Sequence, residues 1–272
     1  MFEWWAARRR RRLLEKYAFA DAAWADALAP FRFFDRLNDD EHRRLRELVS
    51  LFCAEKEFAG AGGYEVTLQT QLMIAAQACL PILNLDLSFY RGWHGIVVYP
   101  GEMVARREVT DEDGVVHEYD EVIAGEAMDG GPVLLSWEDV GLAGADDAPG
   151  YNVVIHEFAH KIDMLTGDAN GAPLLTVKYH SGMSRAEWQA TMRHAYDEFC
   201  AQVGRWEARG AREHEAPLLD PYAADAPSEF FAVMSETFFT RPADVRDQFP
   251  ALYDLLARYY RQQPLVPRGP EV

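Results

Sequence analysis

The stretch "NVVIHEFAHKIDML", residues 152–165, decides how the chain is read. His156 and His160 are four residues apart, so on a helix both imidazoles leave one face about a turn apart and can share one Zn²⁺. Glu157 then stands beside the metal as a general base. Val153, Val154, Ile155, Phe158, Ala159, Ile162 and Leu165 make the surroundings apolar, as in a buried helix. An ordinary core helix would have to bury two histidines and a glutamate there, at the cost of unpaired polar groups. Asn152 is the expected N-cap and Gly167 the expected glycine beyond the C-terminus.

The stretch supplies two ligands and a base, so a third ligand must come from elsewhere. A nearby histidine is excluded: the metzincin spacing needs glycine and histidine where this chain has Asp163 and Thr166. The remaining class, the gluzincin-like one, takes a glutamate from a second helix downstream. His180, His194, His214, Glu198, Glu229 and Glu236 are candidates. Most lie in polar surroundings, where a solvated side chain is expected. Glu236, in "FFAVMSETFF", sits among Phe230, Phe231, Val233, Met234, Phe238 and Phe239. A carboxylate buried there must be paired or metal-bound, which makes Glu236 the expected third ligand. Glu229, seven residues earlier, is the second candidate for that ligand, though capping the helix or orienting a ligand histidine is its expected role. Asp163 faces the same side as His156 and His160; it orients a histidine or makes a salt bridge.

Working outward, the 272 residues are 49% hydrophobic and 26% charged, the composition of a globular protein with a sizeable core. A net charge of −17 argues against direct nucleic-acid binding, which needs a basic surface. Cys53, Cys79 and Cys200 are odd in number and widely spaced, so a reducing, cytoplasmic setting is expected. Arg8 to Arg12 are followed by no apolar signal region, and no run is long enough to span a membrane. Trp4, Trp5 and these arginines suit an anionic lipid or acidic partner, but a frayed, solvated terminus is the expected state.

A helix is expected from Phe34 to Glu57, with Asn38 and Glu41 as a capping box, and a more buried one in "TLQTQLMIAAQACLPILNL", stopped by Pro81. "GIVVYPGEMV" (95–104) reads as a strand, followed by a hairpin turning at Asp111 to Gly114. "EYDEVIAG" and "GPVLLSW" complete a small sheet, the latter as an interior strand or the edge strand along which substrate lies. Helices are expected from Ser184 to about Arg209, in "SEFFAVMSETFF", and from about Pro242 to Gln262. The whole is an α+β unit with helices at both ends of a small sheet.

"NVVIHEFAHKIDMLTGDANGAP" and "DPYAADAPSEFFAVMSETFF", with "LPILNLDLSFYRGWHGIVVYP" and "GPVLLSW" upstream, resemble the Mlc titration factor A family of bacterial zinc-dependent peptidases. The resemblance covers residues 30–264, leaving a basic N-terminal extension (1–29) and a loose tail (265–272) outside the domain. It implies a zincin-type metallopeptidase core: a mixed sheet, the His-Glu-x-x-His helix and a second ligand-bearing helix, with additional terminal helices. It implies one zinc per chain on His156, His160 and Glu236, with Glu157 as base. It also implies aminopeptidase-like activity on small substrates and binding of the glucose repressor Mlc; the departing termini keep that partner from transferring directly. Tyr222 is the candidate oxyanion donor or a loop anchor. Two readings follow, a working zinc peptidase acting on peptides or proteins, and a regulatory protein that sequesters a transcription factor around a structural or vestigial zinc. The intact Glu157 favours the first.

Overall fold

Asn38 caps the start of the helix over Asp39–Glu55 as expected: Glu41 N–H donates to its Oδ1 at 2.9 Å and Asn38 N–H donates back to Glu41 Oε2 at 3.1 Å. The computed structural model describes residues 2–110, 116–143 and 150–265. The turn expected at Asp111 to Gly114 and the tail beyond Leu265 lie outside the described residues.

The chain begins with α1 (Phe2–Lys16), α2 (Asp21–Leu28) and α3 (Asp39–Glu55). The arginine-rich start is helical, and Arg8 to Arg12 are exposed on it. Leu13 and Leu14 are half-buried, and Arg10 pairs with Glu47 of α3 at 2.5 Å. Residues 34–36, where α3 is expected to begin, belong to a separate 3-10 turn, Arg32–Arg36. Then come β1 (Glu57–Gly60), α4 (Leu68–Cys79) and β2 (Gly95–Tyr99). Thr67 and Thr70 cap α4, nearly all of which is buried, and Pro81 follows its end.

β3 (Met103–Thr110) and β4 (Val116–Ile123) pair antiparallel as a two-stranded ribbon of their own. β5 (Gly125–Ala127) and β6 (Val133–Ser136) belong to the main sheet, whose strand order is β1-β2-β6-β5. β1, β2 and β6 run parallel, and β5 returns antiparallel along β6. "GPVLLSW" is thus an interior strand, and the edge is β5. Ile96, Val98, Val133 and Leu135, alternating along β2 and β6, are fully buried, which fixes the face the helices cover.

After α5 (Trp137–Leu142) comes the motif helix α6 (Val153–Asp163). Its back face carries Phe158, packed edge-on against Tyr90 and Trp93 at 5.0 and 5.6 Å. A 3-10 turn over Met164–Thr166 separates α6 from Gly167. Gly167 thus ends the turn, not the helix, at a φ of 122° that favours glycine. α7 (Val177–His180) and α8 (Arg185–Ala208) follow. α8 buries Trp188, Met192, Ala195, Phe199 and Val203, one stripe at helical spacing.

α9 (Pro227–Thr240) lies against α6. The single helix expected after Pro242 is two, α10 (Pro242–Gln248) and α11 (Pro250–Tyr260). Pro250 is the reason: it pushes Phe249 out of the helical region, to φ −133° and ψ 69°. The result is the α+β architecture expected, with α6 between the sheet edge and α9.

Candidate metal centre

Asn152 starts the site. Its Oδ1 accepts from Ile155 N–H at 2.8 Å, capping α6, while its Nδ2 donates to Gln77 Oε1 of α4 at 2.8 Å. Its backbone N–H donates to Glu236 Oε1 of α9. The cap therefore ties three helices together at the point where the motif begins.

One turn on, the two glutamates meet the histidines. Glu229 Oε2 lies 3.1 Å from His156 Nε2 and 3.2 Å from His160 Nε2. Glu236 Oε2 lies 3.1 Å from the other nitrogen of His156, Nδ1. A carboxylate only accepts, so without a metal His156 donates from both ring nitrogens, and Glu236 holds the proton on Nδ1 when Nε2 gives its own up. Glu229 thus bonds to the histidines, as expected, at the point where they converge, and Glu236 stands behind His156.

One atom from each of His156, His160 and Glu229 lies within 4.8 Å of the others, the single group of this kind among the described residues. Two imidazoles and one carboxylate converging from two helices suit a zinc ion with one coordination position left open. The fit is also electrostatic. Burial alone would lower the pKa of His156, but its bonds to Glu229 and Glu236 hold it well above the ordinary histidine value. Burial would likewise raise Glu229, but its bonds to His156 and His160 hold it well below the usual carboxylate range. Without a cation, a proton takes the place between these groups.

Glu157 is 6% exposed. Burial raises its pKa, opposed by His156 and His160 and by a hydrogen bond from Ala127 N–H. Gly125 touches it from the same strand: a Cβ there would fall 2.7 Å from Glu157 Oε1 and 2.7 Å from Val153 Cγ2. Met128 N–H donates to Pro132 O, and Ser136 N–H to Ala124 O. Alternation along the antiparallel pair therefore turns the backbone groups of Gly125 and Ala127 away from β6. They line, with Glu157, Met164, Ser228 and Tyr222, a cavity of about 230 Å³ that opens over the histidines.

Tyr222, on a 3-10 turn held by Asp220 Oδ1, is 46% exposed, and its ring centre lies 6.1 Å from that of His156. Asp163 is fully buried; its Oδ2 accepts from Asn170 N–H at 2.7 Å and Gly171 N–H at 2.6 Å, anchoring the loop after the motif. Its Oδ1 and His160 Nδ1, one turn apart on α6, are both buried without a hydrogen-bond partner. The remaining candidates are elsewhere. His180 stacks on Tyr259 at 4.6 Å and bonds to Thr176 N–H and Tyr259 O; His194 and Glu198 are exposed on α8; His214 is exposed beside Glu215.

Two participants escape a reading of the motif alone. Gln77 hides in an otherwise apolar helix, where a fully buried amide is itself a signal. The Gly125–Ala127 strand is three residues long, too short for alternation to announce it.

The family described as glucose-regulated metallo-peptidase M90 matches residues 4–261, including most of the arginine-rich start. Mlc titration factor A of Klebsiella pneumoniae (strain 342) is 35% identical over 267 residues, 97% of this chain and 93% of that protein. The Yersinia pestis (strain Pestoides F) protein of the same name is 33% identical over 246 residues, 90% of this chain and 86% of its own length. With that coverage, and the histidines and glutamates in one cluster, the chain belongs to the M90 family of metallopeptidases.

Proposed function

We propose that the protein is a zinc-dependent peptidase of the gluzincin-like, zincin type, with His156, His160 and Glu229 as ligands and Glu157 as general base. The observation that carries this is the convergence of both Nε2 atoms on Glu229 Oε2, beside a glutamate no metal ligand needs. When bound, zinc polarises the scissile carbonyl and makes its water acidic enough to be deprotonated near neutral pH.

The chain's own residues supply the rest. Peptide backbone pairs with the outward groups of Gly125 and Ala127, which aligns the carbonyl over the histidines. Glu157, its pKa raised by burial, takes a proton from the attacking water and returns it to the leaving amine. Tyr222, at the cavity wall, donates its hydroxyl hydrogen to the developing oxyanion. Glu236 orients His156, and Asp163 holds the loop beside His160. A cavity of about 230 Å³ suits a short peptide, in keeping with aminopeptidase action on small substrates. Three free cysteines suit a reducing, cytoplasmic setting.

The test is hydrolysis of short peptides by zinc-loaded protein, abolished by chelation and restored by zinc. Activity indifferent to chelation would refute the proposal. The relatives' name supports a second role, binding an Mlc-like repressor. That role is tested by pull-down with Mlc-type repressors, and absence of binding would remove it without touching the peptidase reading.

A further inference from the structure

Lys161 follows the second histidine of the motif, yet it is only 3% exposed. An ammonium group that deep must find acceptors. Its Nζ donates to the carbonyls of Met128 and Gly131, the latter at 2.9 Å, and lies 4.9 Å from the centre of the Trp93 ring. Lys56 lies over the same ring at 3.8 Å and donates to Trp93 O at 2.8 Å, so the indole is itself pinned. Trp93 in turn packs on Phe158 of α6 at 5.6 Å.

The carbonyls Lys161 holds belong to the turn joining β5 to β6. That turn is tight: Gly131 N–H donates to Met128 O at 3.1 Å, and Gly130 sits at φ 59°. The motif helix therefore touches this hairpin at two levels, one turn apart. At the first, Glu157 meets Ala127 N–H and Gly125. At the second, Lys161 meets Met128 and Gly131. The first contact holds the proposed base. The second takes no part in the chemistry and can stay fixed.

We propose that Lys161 is a positioning residue that sets the distance between the helix bearing the base and the strand that receives the peptide. This rests on the peptidase reading above for its consequence in catalysis. A flat change of charge is not the point; the geometry of the two carbonyls is.

Lys161→Met keeps the bulk and removes the donors. In the zinc-loaded protein it is expected to raise KM for peptides on the order of tenfold, with a smaller change in kcat. Zinc content and the affinity for acetohydroxamate, a probe that binds metal without needing the strand, are expected to stay as in the native protein. Amide exchange is expected to quicken over residues 124–131 and to stay unchanged over 153–163. Unaltered KM and exchange would overturn the proposal, and so would parallel loss of peptide and hydroxamate binding, which marks a general structural defect. Should Lys161→Met fail to fold, Gly131→Ala leaves the lysine intact and displaces the turn, because its Cβ would meet Met128 Cβ at 2.9 Å. It is expected to raise KM in the same direction, and an unchanged KM would count against the proposal. If the native protein hydrolyses no peptide, the peptidase reading falls, and the exchange comparison alone decides whether Lys161 holds the turn.

Discussion

Glu229 and Glu236 lie two turns apart on α9 and meet the same imidazole from its two nitrogens. Replacing each by glutamine separates their roles. Glu229→Gln is expected to weaken zinc binding far more than Glu236→Gln, for which a loss of about 10–100-fold is typical of a group that orients a ligand. A competition titration with a chromogenic chelator reads both; equal losses would contradict the assignment. Protons compete at the same place. The metal-free His156 is held protonated well above the ordinary histidine pKa, so zinc must displace that proton. Apparent affinity should therefore fall as pH is lowered, and calorimetry at pH 7 in buffers of different ionisation enthalpy should register proton release. Burial in the sequence points to Glu236, whereas the geometry behind the proposal favours Glu229, and the difference has a physical reason. The Glu236 side chain is 6% exposed and that of Glu229 is 19% exposed, as expected if Glu229 faces the cleft beside an open coordination position. Desolvation identifies carboxylates that need a partner; it does not tell a metal from an imidazolium.

Among the elements, α6 was legible down to its cap, since Asn152, the apolar flanks and the two histidines all agree on one helix. β5 was not, although it shapes the cleft as much as α6 does. Its outward register depends on Gly125, where Glu157 and Val153 already occupy the space a side chain would need. Gly125→Val is accordingly expected to cut peptide hydrolysis by at least about 100-fold while zinc content is retained, as judged by metal analysis beside kinetics. Retained activity would show that the strand is not held against the base. The break at Pro250 was readable in principle, because a residue before proline avoids the helical region; the apolar periodicity on either side concealed it.

At the scale of the molecule, the α+β class and the order of long helices follow from periodicity and caps. The separation of the β3–β4 ribbon from the main sheet does not, because strand pairing depends on contacts distant in sequence. The site joins α6 to α9, so metal binding should stabilise the fold they share. Zinc at 100 times its dissociation constant is expected to add about 2.7 kcal/mol, visible as a rise in Tm that chelation reverses. The proposed mechanism depends on Glu157 acting as base at a metal held by its neighbours. Glu157→Gln, prepared with the same zinc content as the native protein, tests it most directly in a peptide-hydrolysis assay. The expected result is unchanged zinc occupancy with hydrolysis reduced by a factor on the order of 1,000 or more. Native-level hydrolysis by that variant would contradict the mechanism.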